Sequence, residues 1–200
     1  MEGRNGWETR INSFALVSYL SGPLAELLDK IRHDFAPDSR AKAHLTVLPP
    51  RPLIAPLTAM TGHASVEEAL IEEAMDQLRI RLQDFPPIRV ELGDVEVFPG
   101  THVIYVSVKS GFAELERMHQ ALNSGRLAFE EPYPYHPHVT VVQELAPGDV
   151  LNAAQFARWR WSEFKHPRGV WVERLTFVQN TLENGWTDLA MLNLGSHVAR

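Results

Sequence analysis

Two short segments of the chain share one pattern: Ala43-His-Leu-Thr-Val-Leu48 and His138-Val-Thr-Val-Val142. In a strand, residues two apart share a face. His44 and Thr46 therefore point one way and Leu45 and Val47 the other; His138 and Thr140 stand in the same relation to Val139 and Val141. Each segment reads as a strand that buries two aliphatics and offers an imidazole and a hydroxyl to the opposite side. The chain has nine histidines and nine threonines in 200 residues. At that frequency His-x-Thr is expected about 0.4 times by chance, and about 0.08 times with an apolar residue after both, so a doubled occurrence is a signal.

The surroundings of the two segments repeat as well. Residues 14–20 are apolar and β-prone, and Leu24, Leu27, Leu28 and Ile31 then recur at helical spacing over about 23–34. The first His-x-Thr strand is expected to stop at Pro49-Pro50, because proline cannot donate to a ladder. Ser65-Val-Glu-Glu68 reads as a capping box opening a helix to about Leu82. Strands are expected at about 88–98 and 102–108, turned at Pro99-Gly100. Phe112, Leu115, Met118 and Leu122 mark a helix that Gly125 can end. The second His-x-Thr strand follows, then a helix over about 150–161 and a hairpin of strands at about 170–182 and 187–194, turned at Asn184-Gly185.

The expected order is thus strand, helix, His-x-Thr strand, helix, strand, and then the same again from 102. Ser21-Gly-Pro-Leu-Ala-Glu-Leu27 and Ser110-Gly-Phe-Ala-Glu-Leu115 even open the first helix of each half alike. The reading is an α+β fold in one bilobal domain over 1–200, with halves at about 10–98 and 102–195. Duplication would set the two motif strands in equivalent, facing positions.

Composition narrows the chemistry. The chain has no cysteine, which excludes disulfides, thiolate nucleophiles and cysteine-based zinc sites. A net charge of −6 without a basic stripe argues against a grip on extended nucleic acid, so a short piece or an end is the expected partner. No apolar run approaches the ~20 residues needed to cross a bilayer, and the first residues lack a secretory apolar segment. A cytoplasmic monomer is the expectation.

Two histidines suit the opening of a cyclic phosphate, in which one group takes a proton and another gives one; an unperturbed pKa near ~6.5 allows either role. Thr46 and Thr140 can donate to the non-bridging oxygens. Neither a metal nor a cofactor is needed. Arg40, Lys42 and Arg51 flank the first motif and are candidate phosphate contacts, while Phe98, Tyr133 and Tyr135 are candidate stacking partners for a base. His119, at the edge of an apolar helical stripe, reads as structural. His33, His102, His166 and His197 read as surface residues, and His63 as a chance echo of the motif. Trp159, Trp161 and Trp171 read as packing. Two other readings use the same residues: a module that binds phosphorylated ends without turnover, and a metal-dependent hydrolase built on His136 and His138.

The segments Ala-His44-Leu-Thr-Val-Leu-Pro-Pro-Arg-Pro and Tyr-His-Pro-His138-Val-Thr-Val resemble the paired His-x-Thr-x motifs of the two-histidine (2H) phosphoesterases, and within them bacterial 2'-5' RNA ligase-like proteins. The resemblance extends to element order and to most of the chain. It implies two pseudo-symmetric lobes, each a mainly antiparallel sheet flanked by helices, with the active cleft between them. It also implies metal-free opening of 2',3'-cyclic phosphates on nucleotides or RNA ends, commonly to 2'-phosphates, with reversible RNA ligation in some members. By position, His44 and His138 become acid and base, and Thr46 and Thr140 the phosphate ligands.

Overall fold

The computed structural model describes residues 12–39, 41–53, 64–143, 145–181 and 185–195. The elements run β1 (Asn12–Tyr19), α1 (Gly22–Phe35), β2 (His44–Arg51), α2 (Ala64–Leu82), β3 (Ile88–Val97), β4 (Ile104–Ser110), α3 (Phe112–Leu122), β5 (His138–Val142), α4 (Val150–Ser162), β6 (Gly169–Val172), β7 (Arg174–Thr181) and β8 (Gly185–Asn193). All eight strands join one sheet in the order β6-β3-β4-β5-β2-β1-β7-β8, and every neighbouring pair is antiparallel.

The sheet order has the expected pseudo-symmetry. The motif strands β2 and β5 lie together at the centre. Outward from β2 come β1, β7 and β8, and outward from β5 come β4, β3 and β6. The strands do not keep to their halves of the sequence. β3, last of the first half, pairs with β4 and β6, while β7 crosses back to β1.

That crossing curls the sheet. β6 lies on one edge and β7 six positions away, which in a flat sheet would be about 29 Å. Glu173 alone separates them in sequence, and Val172 and Arg174 can be at most about 7 Å apart. The two edges therefore have to approach each other. The single strand expected over 170–182 is in fact two, broken at Glu173, where the chain leaves the edge strand β6 for β7, the strand beside the opposite edge.

The strand β2 also runs through Pro49 and Pro50 to Arg51 instead of stopping at them. Its register with β1 slips twice: Leu16 pairs with Leu48 but Val17 with Thr46, and Phe14 with Arg51. Bulges are where a sheet tolerates proline, because the extra residue owes the ladder no donor. Helix α3 ends on Asn123, and Gly125 opens a short 3-10 turn with φ of 60° rather than capping the helix. Helix α2 begins at Ala64, one residue before the expected cap at Ser65. The side chain of Ser65, the whole of Arg40, His63, Asn184 and His197 lie outside the described residues.

One apolar core unites the four helices with one face of the sheet. Leu24, Leu28 and Ile31 of α1, Leu78 and Leu82 of α2, Leu115 and Met118 of α3, and Ala154 and Trp161 of α4 meet Leu45, Val47, Val139 and Val141 of the motif strands. A smaller cluster on the other face holds Ala15, Val17 and Val178, with Tyr19 and Trp186 against them. Of Trp159, Trp161 and Trp171, only Trp161 is buried; Trp159 and Trp171 are exposed and carry Arg160 and Arg89 over their rings. Phe177 has no exposed surface and stacks on Phe14 at 5.6 Å, joining β7 to β1. Phe177→Ala should cost about 3–5 kcal/mol, measurable as a lower urea midpoint with little change in slope.

Candidate active site

Leu45 on β2 pairs with Val139 on β5. In an antiparallel pair, one step along that register sets His44 opposite Thr140 and Thr46 opposite His138. Directly opposed residues project from the same face. Leu45 and Val139 point into the core, so the two histidines and two threonines all project from the other side. They form a small square, with the histidines on its diagonal and their Cβ atoms somewhat under about 7–8 Å apart. The structure thus brings together all four residues of the doubled motif.

Both imidazoles are oriented in the same way. His44 Nδ1 lies 2.7 Å from the carbonyl of Lys42, and His138 Nδ1 lies 2.6 Å from the carbonyl of His136. With Nδ1–H donating to a carbonyl, each Nε2 is left to exchange a proton with a ligand. In each case the partner is the residue two positions upstream, so the turn entering each strand sets the tautomer.

The environments differ. His44 is 7% exposed and has Trp186 tilted over it at 4.8 Å and Tyr19 edge-on at 6.3 Å. Its pKa is pushed down to about 4, chiefly by burial and further by the charges of Arg32 and His138, against the opposing hydrogen bond to Lys42. His138 is less enclosed and has Phe98 at 4.8 Å and Tyr105 at 5.6 Å, both edge-on. Burial lowers its proton affinity too, and so does His136. A carboxylate holds each neighbouring tyrosine: Tyr19 donates to Asp188 at 2.5 Å and Tyr105 to Glu96 at 3.0 Å. Burial raises both phenol pKa values, and the carboxylates add to the rise, so both phenols remain protonated donors.

The other candidates divide. Phe98 lies flat on Tyr105 and borders His138. Lys42 extends over the Tyr19 ring and, with Ala41, Trp186 and Asp188, lines a cavity of about 160 Å³ beside His44. Tyr133 is 75% exposed. Arg51 does not reach the site. Its side chain is wholly buried, donates to Pro49, Asn123 and Leu127, and is ion-paired with Glu131. Tyr135 is not a platform for a base either, because its ring is stacked on His119 at 3.9 Å and its hydroxyl donates to Thr46 O. His119 is buried, as expected, with Nδ1 on Val47 O and Nε2 3.3 Å from Glu131. His33, His102 and His166 are exposed. Trp186, Tyr19 and Arg32 were not singled out by the sequence. They come from distant strands and a helix, and no local pattern links them to the motifs.

A family model described as the 2'-5' RNA ligase superfamily matches residues 20–184. The chain belongs to that superfamily. A proposed phosphoesterase of Geobacillus kaustophilus is 30% identical over 158 residues, covering 77% of this chain and 84% of the relative. One of Oceanobacillus iheyensis is 23% identical over 147 residues, covering 72% and 82%. Among solved structures, E. coli LigT complexed with ATP superposes with a TM-score of 0.56 at 18% identity, over 92% of this chain and 98% of LigT. Kluyveromyces marxianus Usb1 with uridine monophosphate gives 0.50 at 14% identity, over 92% and 98%. These structural likenesses concern the fold.

In this superfamily member the enclosed His44 links pH to stability. Its folded pKa lies below the value of 6.5 for an unperturbed imidazole, so the unfolded chain takes up the proton first. The resulting stability is complete above about pH 6.5 and is lost as pH falls toward 4, by on the order of 3 kcal/mol. Urea titrations at pH 7.5 and 5.0 should show the loss, and His44→Gln should reduce the difference. Arg51→Met, which leaves Glu131 enclosed without its cation, should cost about 3–5 kcal/mol by the same assay.

Proposed function

We propose that this phosphoesterase opens 2',3'-cyclic phosphates of nucleotides or short RNA ends without a metal, yielding 2'-phosphates. The observation that carries the reading is the square of His44, Thr140, Thr46 and His138 on one face of the central strand pair, with both Nδ1 atoms committed to backbone carbonyls. The family supports the phosphoester chemistry. The nucleotides bound in the solved structures of E. coli LigT and Kluyveromyces marxianus Usb1 support the substrate class.

Hydrolysis to a 2'-phosphate breaks the bond between phosphorus and the 3' oxygen. Water attacks phosphorus opposite that bond, one imidazole takes the water's proton, and the other gives a proton to the departing 3' oxygen. The diagonal placement suits an in-line reaction, with the phosphate between the two rings. His44, held neutral by burial, is suited to the base. His138, less enclosed, is suited to the acid once a phosphate anion beside it raises its proton affinity. Thr46 and Thr140 donate to the two non-bridging oxygens as charge develops there. Run backwards, the same proton transfers re-form the cyclic phosphate from a 2'-phosphate and the adjacent 3' hydroxyl, with water leaving phosphorus.

A nucleoside 2',3'-cyclic phosphate incubated with the protein in excess chelator should give one phosphomonoester, its position read by 31P NMR. His44→Ala and His138→Ala should each lower kcat by about 10²–10⁴-fold, and Thr46→Val or Thr140→Val by about 10–100-fold. Full turnover in the double histidine variant would sink the reading. Tight binding of the cyclic phosphate with no product would instead favour a recognition module.

A further inference from the structure

Arg32 is a buried charge that the mechanism above does not use. It lies on α1, 6% exposed, and its guanidinium meets four acceptors. Nε donates to Val141 O at 3.1 Å and Nη2 to Thr140 O at 3.0 Å, both on β5. Nη1 donates to Asp29 at 2.6 Å and to Ala41 O at 2.8 Å. Asp29 in turn accepts the backbone N–H of Ala43 at 2.8 Å. Residues 41–43 form the entry to His44, and Lys42 in their middle supplies the carbonyl that orients its ring.

One side chain therefore holds both halves of the site: the entry to the first motif and the backbone of the second motif's threonine. The pseudo-symmetry shows that this place in the fold is a structural post. In α1 the buried positions Leu28, Ile31 and Arg32 follow the same spacing as Leu115, Met118 and His119 in α3. Arg32 donates to Val141 O on β5, and His119 Nδ1 meets Val47 O on β2. Each is the third residue after its own motif histidine. Beyond that strand His119 meets Glu131 and stacks on Tyr135 in the loop before β5, whereas Arg32 donates both to the strand and to Ala41 at the opposite motif's entry.

We infer that Arg32 is a positioning residue for the phosphoester reaction, holding the His44 entry at a set distance and angle from Thr140 so that the two half-sites close on one phosphate. The inference rests on the proposed acid–base reading of the two histidines. Arg32 has a second consequence through its charge, which disfavours protonation of His44. The groups facing His44 are Arg32 and Asp29 from α1, Lys42 at the strand entry, His138 on β5, Tyr19 on β1, and Trp186 beside Asp188 on β8. Lys42 and Asp188 are the other formal charges at its rim, and neither spans the two motifs.

Arg32→Lys and Arg32→Gln separate the two effects. Lysine keeps the charge but offers one nitrogen in place of a planar fork. It should lower kcat by about 10-fold or more with KM nearly unchanged, because the loss is in alignment. It should leave the acid limb of the kcat/KM pH profile in place. Glutamine removes the charge and should also move that limb to higher pH by roughly 0.5 unit, with the same shift in an NMR titration of the His44 ring. Arg32→Lys with wild-type kcat overturns the inference. So does Arg32→Gln with an unmoved limb and an unmoved His44 titration, since a merely structural role predicts only loss of folded protein. Should Arg32→Gln fail to fold, the kcat and KM of Arg32→Lys decide alone. If the wild-type protein turns over no cyclic phosphate, the proposed reaction fails. The His44 titration in Arg32→Gln would then still report whether this guanidinium sets the ring's proton affinity.

Discussion

The structure depends on the seam between β2 and β5. A pseudo-twofold sheet has to be joined somewhere, and here the join pairs Leu45 with Val139. A short ladder supplies few hydrogen bonds across the join, and a buried carbonyl without a donor is costly. Side chains from the helices and from the loop before β5 supply those donors. Arg32 takes the carbonyls of Thr140 and Val141, His119 that of Val47, and Tyr135 that of Thr46. The same backbone carries the threonines and histidines on its other face. The groups that make the seam tolerable therefore also fix the site.

That arrangement explains why several polar residues with the look of ligands are scaffold. Arg51, Glu131, His119 and Tyr135 form one buried group beneath β2. Burying an ion pair is weak support for stability in itself, yet removing one partner leaves an uncompensated charge. Their contribution here is to hold the first motif's strand through its bulges, where the ladder with β1 is interrupted twice.

The near-symmetry of the backbone contrasts with the asymmetry around it. Both histidines use Nδ1 on the carbonyl two residues upstream, but Trp186 and Tyr19 enclose one, while Phe98 and Tyr105 border the other. Enclosure and a nearby guanidinium favour a neutral ring at His44. Two identical groups given different surroundings can take different halves of a proton transfer. A duplicated fold with identical surroundings would offer two equivalent rings and no division of labour.

The doubled His-x-Thr pattern and the alternation of strand residues were enough to place His44, Thr46, His138 and Thr140 on one face, because strand geometry is local and has a period of two. Helix spacing was legible for the same reason, and the repeat of elements foreshadowed the central pairing of β2 with β5. What lay beyond local reach were the partners. Pro49 and Pro50 end a regular ladder by rule, but a bulge against β1 excuses them. Residues 170–182 read as one strand, yet Glu173 is where the chain passes from one edge of a curled sheet to the strand beside the other edge. Arg51 and Tyr135 are the right residue types beside the right motifs, and only the packing of α3 and the loop carrying Glu131 turns them inward. The sequence by itself determined the candidate site's four side chains and the face they share, since these follow from residue type and backbone period. Tertiary structure alone decided which polar neighbours face the cleft and which bind the seam's carbonyls, because that choice depends on elements far apart in the chain that packing brings together.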